Sequence, residues 1–394
     1  MARIILYKGQ SQYGALRTHI DRLAQAFENI GHTSVIIDFQ KPNAIHELEK
    51  ELNIGCSFIF AFNSILAELK IGDKSLYDTL NVPYIGALVD HPMYHKSRLD
   101  NNIKKFVVTC LDNKHLSFLS EQYDENHFIA KAFMIPGGSK SSLSKEENLE
   151  EFESNRGKSL LFTGSYRGIP KREWENYENA ALVKLIDDIC EYVLANDYVF
   201  VDDAFEYVIK QSNIEFSAEH KNKMKLYIMK VLEPYIASYK RYMCLETLAK
   251  AEIPIDIYGV DWEEWANKYK NVTYHGVGSV ENTLDILTKT RLCLNINNNF
   301  LAGGHERVFN SMINGAPVIT DKSLFYDKAF EDGKDILTYS FTDLDSLPEK
   351  VYRYLNNTEA LWNISQNARK KVLENYTWEN KAKQIIELYE LSML

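Results

Sequence analysis

The sequence predicts an α/β chain made of two doubly wound parallel-sheet domains, the second interrupted by a helical insertion. Three observations predict it. Short, continuously apolar β-rich runs alternate with helical patterns through the first 135 residues, and a second such series starts at Ser159. Runs apolar on both faces are what parallel strands covered by helices require. Between the two series, Pro136-Gly137-Gly138-Ser139 opens a polar stretch to about Lys158, which reads as an inter-domain linker. At 394 residues the chain is long for one core and sufficient for two.

In the first series the expected strands are residues 4–7, 34–37, 57–62, 84–89, 106–110 and 128–133, with helices at 16–29 and 113–121 between them. The second series starts at 159–163, is interrupted by a helical block from about 172 to 251, and resumes at 255–258, 272–274, 292–296, 318–319 and 336–338. In the block, Leu182, Leu185, Ile186 and Ile189 make an apolar stripe. It could recognise a substrate, contact another subunit or cap the domain. This sets a first domain at 1–150, a second at 151–375 and a terminal helix at 376–394 that opens on Thr377 as its cap.

Composition narrows the function. A 45% hydrophobic content with 12% aromatics marks a globular protein. The net charge of −10 argues against a nucleic-acid partner, whose phosphates need a basic face. Five scattered cysteines with no C-x-x-C read as reduced core residues, and a cytoplasmic location is expected. The N-terminus runs straight into a strand, so no signal peptide is expected, and no apolar run reaches the roughly 18 residues of a membrane span.

The densest motif is Gly303-Gly304-His305-Glu306-Arg307-Val308-Phe309-Asn310, which continues to Gly315-Ala316-Pro317-Val318-Ile319. Val308 with Met312 and Phe309 with Ile313 are i,i+4 apolar pairs that anchor one helix face. The reading expects a bare helix start whose free N–H groups, with glycines admitting close approach and Arg307 one turn in, cradle a diphosphate.

This segment resembles the donor-binding helix of GT-B glycosyltransferases, particularly the branch related to the spore-maturation protein CgeB. Arg307, Phe309, Gly315, Pro317, Val318 and Ile319 fit that pattern, whereas Asn310 stands where the family has the glutamate that holds the donor ribose. The resemblance implies two Rossmann-like domains facing across a cleft, and transfer of a sugar from a nucleoside-diphosphate donor. The acceptor would be a glycan, lipid-linked, protein or small-molecule hydroxyl. It implies no cofactor and no metal. With the family glutamate missing, the reading leans to inversion of configuration. A nucleotide-sugar epimerase of the same fold and a non-catalytic nucleotide-sugar-binding scaffold are the alternatives.

The resemblance also assigns site residues. Gly304, His305, Glu306, Arg307 and Asn310 fall on the donor side, joined by the Gly164-Ser165 turn with Arg167, the strand-end Tyr258-Gly259, His275, and Asn297 of the Asn295–Asn299 run. The first loop, Gly9 to Gly14, lies at a strand's carboxyl end and adds Gly14, although it lacks G-x-G-x-x-G. Asp90-His91-Pro92 ends an apolar strand and supplies the candidate base, His91 ahead of Asp90 because imidazole titrates nearer neutrality; His95 and His19 stand behind them. Asn298 and Asn299 are expected to fix their loop. Asp343-Leu344-Asp345 is read as a helix cap and not a metal site, while Asp187-Asp188 and Asp202-Asp203 are read as solvated charge.

Overall fold

The computed structural model describes residues 1–297 and 300–393, with Gln12 described by its backbone alone. The roles expected of Asn298 and Asn299 lie outside the described residues.

Six parallel strands make the first sheet: β1 (Arg3–Lys8), β2 (Thr33–Asp38), β3 (Phe58–Phe62), β4 (Tyr84–Leu88), β5 (Phe106–Cys110) and β6 (Ala130–Phe133), in the order β2-β1-β3-β4-β5-β6. Alternation explains why these strands read as apolar throughout. Ile5, Tyr7, Ile59 and Ala61 pack into the core on one face, while Ile4, Leu6, Phe58 and Phe60 pack into the core on the other. The second sheet repeats the plan with β7 (Gly157–Thr163), β8 (Ile255–Tyr258), β9 (Val272–Tyr274), β10 (Thr290–Asn295), β11 (Val318–Asp321) and β12 (Leu337–Tyr339), in the order β9-β8-β7-β10-β11-β12. The strands follow the apolar runs closely. β7 starts earlier than expected, and a helix (Leu149–Asn155) with its own capping box at Asn148 and Glu151 occupies part of the stretch read as linker.

That linker is stitched down. Ser139 and Ser141 are buried, and their backbone N–H groups donate to Asn310 Oδ1 (2.7 Å) and Asn314 Oδ1 (2.8 Å). The last helix (Trp378–Leu391), capped by Thr377 with Asn380, lays Trp378, Ala382, Ile385 and Leu388 into the N-domain core beside α1 (Ala15–Asn29).

The insertion holds α2 (Ala180–Leu194), α3 (Val201–Gln211) and α4 (Ala218–Lys250). Its own core, with Ile186, Ile189, Phe205 and Leu232, also takes in Met93 and Phe118 of the N-terminal domain. The C-terminal half of α4 belongs to the second domain's core through Cys244, Leu245 and Leu248. The insertion therefore straps the two domains together. Asp202 is accordingly not the solvated charge expected of it: it is buried and faces Lys114 of the N-terminal domain at 3.4 Å. Asp343 and Asp345 precede the helix Leu347–Leu355 without capping it, since Ser346 holds that position and makes no side-chain cap bond.

Candidate active site

The carboxyl ends of both sheets face one cleft of about 600 Å³, where open parallel sheets bind their ligands. The N-terminal domain lines it with Ser11 and Tyr13 after β1, Asn63 after β3 and Asp90, His91 and Tyr94 after β4; the opposite wall has Arg167, Glu233, Arg241, His305 and Glu306. Tyr13, His19 and Glu306 continue into a recess of about 170 Å³ bounded by Gly164, Ser165, Tyr258, Gly259, Arg307 and Asn310. The structure thus gathers most of the residues assigned from sequence at one place. Tyr13 Oη and Ser165 Oγ, 2.8 Å apart, tie the domains across it.

Glycine is required at the recess floor. A Cβ on Gly259 would lie 2.1 Å from the Gly164 carbonyl, so these two strand ends touch only because Gly259 has no side chain. Tyr258 lines the recess, whereas His275 does not: its ring stacks behind Tyr258 at 4.5 Å and pairs with Asp256. The histidine is a backing group, displaced from the ligand side by the tyrosine ring. Gly14, φ +76°, caps α1 between the lining residues Tyr13 and Ala15 and takes no part in the walls itself.

Helix α5 (Glu306–Ile313) differs from expectation at its start. His305 is its N-cap, with Nδ1 accepting from the Arg307 N–H at 3.2 Å, so the start is not bare. The glycine pair serves packing. A Cβ on Gly303 would meet the Leu111 carbonyl at 2.0 Å, and one on Gly304 would press on Phe309 and Phe325. The loop carrying the pair is latched to the other domain, where Asp112 accepts from the Ala302 N–H at 2.8 Å. Asn297 is fully buried, donating from its backbone to Asp321 and from its amide to Phe300, so it shapes the loop and does not reach a ligand.

Arg307 is fixed by Nε to Thr163 Oγ1 and Nη1 to Asn295 Oδ1, both 3.0 Å, with its guanidinium over the Phe162 ring. Burial disfavours its charge, and adjacent Glu306 opposes that. Glu306 is itself held well below the usual carboxylate range: His305, His19 and Arg307 outweigh its burial. Asn310 uses its oxygen on Ser139, which leaves the amide nitrogen as the group it can offer a ligand.

On the other wall, Asp90 accepts from Asn63 Nδ2 at 2.9 Å and lies 3.6 Å from His95 Nε2. The surrounding cleft walls work against its charge, but His95 and Asn63 hold the carboxyl below the ordinary range. His91 is placed differently from a free base. Its Nδ1 accepts from the Met93 N–H at 3.1 Å, so a neutral ring carries its proton on Nε2, 4.0 Å from Glu233 Oε1. Burial, with help from His95, pushes this imidazole down to about 3. Glu233, where Tyr94 donates to Oε2 at 3.3 Å, is pushed up to about 8 by its burial.

Sequence reasoning missed Glu233 and Arg241. Their signal lay in spacing: Arg241 shares a helix face with the buried Ala237, Cys244 and Leu248, a core position given to a charge.

The fold recurs in known proteins. Residues 240–387 match the family profile described as glycosyl transferase-like, a segment running from the cleft-facing part of α4 through α5 to the last helix. The whole chain superposes on solved structures. Sucrose-phosphate synthase from Thermosynechococcus elongatus is 12% identical, with a TM-score of 0.58 over 99% of this chain and 98% of that one. AviGT4, a glycosyltransferase of avilamycin A biosynthesis, is 12% identical at 0.55 over 99% and 97%. HepE of Anabaena, in complex with UDP and glucose, is 10% identical at 0.54 over the full length of both chains. The chain has the two-domain GT-B fold, and residues 240–387 are similar to the glycosyl transferase-like family. No curated protein matches it. In GT-B terms, the recess lies on the C-terminal domain and the Asp90 wall on the N-terminal domain, with no helix among the described residues long and apolar enough to cross a membrane.

Proposed function

We propose that this glycosyltransferase takes its sugar from a nucleoside-diphosphate donor seated on the C-terminal domain and passes it to an acceptor hydroxyl presented by the N-terminal domain. The observation that carries the reading is the placement of Arg307 and Arg167 at the end of β7, where the recess opens into the larger cleft. A base and ribose in the recess, against Tyr258 and the Asn310 amide, would set the diphosphate beside the two guanidiniums. The sugar would then extend toward Asp90. Fixed charges aimed at the leaving group are a large term in such a reaction. Here they occupy the place of a divalent cation, so the proposed reaction needs no metal. The Arg307, Phe309 and Gly315–Ile319 pattern favours the CgeB-like branch, and the unpaired thiols suit a cytoplasmic enzyme.

In the transfer, the acceptor oxygen forms its bond to the anomeric carbon while the bond from that carbon to the diphosphate breaks. The electron pair leaves on the phosphate oxygen, facing Arg307 and Arg167. The hydroxyl proton goes to Asp90, the accessible carboxylate of the pair singled out from sequence. His91, its Nδ1 occupied, orients the wall through Glu233.

Calorimetric titration with UDP, GDP, ADP and CDP tests the donor side. At least one should bind more tightly than its nucleoside, and equal binding of diphosphates and nucleosides would remove the phosphate site.

A further inference from the structure

The middle of α4 lies between two cores and faces the cleft. Glu233, Ala237 and Arg241, spaced i, i+4 and i+8, all line it, so a single helix face spans about 12 Å of its wall. Arg241 is 6% exposed. Its Nη1 donates to the Ser165 carbonyl at 2.7 Å and its Nε is buried with no partner. Among the described residues no carboxylate pairs with it. Its guanidinium lies 5.8 Å from the Phe162 ring centroid, and that of Arg307 lies 5.6 Å from the same ring. Burial, together with Arg167 and Arg307, lowers its affinity for a proton to about 9.

A buried cation with an unused donor, crowded by two like charges, is costly unless an anion completes it. The neutral groups around it, Ser165 and Phe162, do not supply that charge. An anion at the β7 end would meet Arg307 and Arg241, both beside the Phe162 ring, and Arg167 from the turn beyond Ser165.

We propose that Arg241 is a third guanidinium of the donor diphosphate site. The proposal rests on the donor reading above. Arg241 lines the larger cleft and not the nucleoside recess, which places it at the sugar-proximal phosphate. When the bond between the anomeric carbon and that phosphate breaks, the electron pair remains on the phosphate oxygen, and Arg241 takes up part of the new charge.

The test titrates wild type, Arg241→Gln and Arg241→Lys with the four nucleoside diphosphates, their nucleosides and inorganic pyrophosphate, and records the melting of each unliganded protein. Arg241→Gln should bind the preferred diphosphate about 10- to 100-fold more weakly, equivalent to about 1.4–2.8 kcal/mol. Its nucleoside affinity should be unchanged, and Arg241→Lys should lie between the two. Unliganded Arg241→Gln should melt no lower than wild type, because the change removes a charge with no counter-ion. Undiminished diphosphate binding in Arg241→Gln, or equal losses for nucleoside and diphosphate with lower melting, would make the residue a structural strut and overturn the proposal. A wild type that binds no diphosphate would instead overturn the donor reading itself.

Discussion

Glu233→Gln isolates the electrostatics of the acceptor wall. Glu233 is 5% exposed on α4, touched by Tyr94 and faced by His91. Burial moves its carboxyl from an ordinary 4.5 up to about 8, with Asp202 and Asp112 adding to the rise against the Tyr94 hydrogen bond. A raised acid is protonated in the native state over a range where the unfolded chain has already released its proton. The native state then binds more protons, and stability falls as pH rises from about 4.5 to about 8. At about 1.4 kcal/mol per pH unit, that interval holds up to roughly 5 kcal/mol. Glutamine keeps an acceptor for Tyr94 and cannot ionise. Melting of both proteins should be followed from pH 5 to 9. His91, depressed to about 3, has the opposite sign, since its contribution is lost only below about 6.5; it and Asp112 titrate in both proteins, so the difference between them reports Glu233 together with its coupling to these neighbours. The variant should gain on wild type as pH rises, by on the order of 3–5 kcal/mol at pH 9 relative to pH 5, or roughly 4–6 °C. A difference that does not change with pH would show that Glu233 ionises as an ordinary glutamate and refute the account of this wall.

Other expectations follow from the same geometry. Arg307→Ala should cost roughly 1.5–3 kcal/mol of nucleoside-diphosphate affinity by calorimetry while sparing the nucleoside, and equal effects on both would deny it a phosphate. Asn310→Asp keeps an acceptor for Ser139 but loses the amide donor, so it should melt near wild type and bind ribonucleotides more weakly; Asn310→Ala should also melt lower. Matching affinities for ribo- and dideoxyribonucleotides in wild type would remove Asn310 from ribose binding. Once an acceptor is known, Asp90→Asn should cut transfer by about 10²–10⁴-fold with donor affinity intact. His91→Ala should be milder, and the reverse ranking would return the base to His91.

The central strands were legible because they carry apolar residues on both faces, the pattern of parallel sheets covered by helices. The strap formed by the insertion was not. Its contacts with Met93, Phe118 and Lys114 join segments far apart in sequence, and an apolar stripe does not name what it will cover. In the site, Gly303-Gly304 misled for a physical reason. Glycine serves close backbone packing as readily as ligand approach, and here the Leu111 carbonyl takes the space. His305 was legible as a residue of the motif but not as the cap, because its cap bond uses a ring nitrogen in place of the usual Ser, Thr, Asp or Asn oxygen. Arg241 and Glu233 were hidden inside a 33-residue helix whose apolar faces belong to two different cores.

The central claim is sugar transfer from a nucleoside-diphosphate donor in the inter-domain cleft. The most direct measurement is release of nucleoside diphosphate from a panel of UDP-, GDP-, ADP- and CDP-sugars incubated with the purified protein and no acceptor, resolved by chromatography. Slow release of free sugar and diphosphate is expected from at least one donor, reduced in both Arg307→Ala and Arg241→Gln. Conversion of one nucleotide sugar into another without diphosphate release, or tight donor binding with no breakdown at all, would contradict the claim.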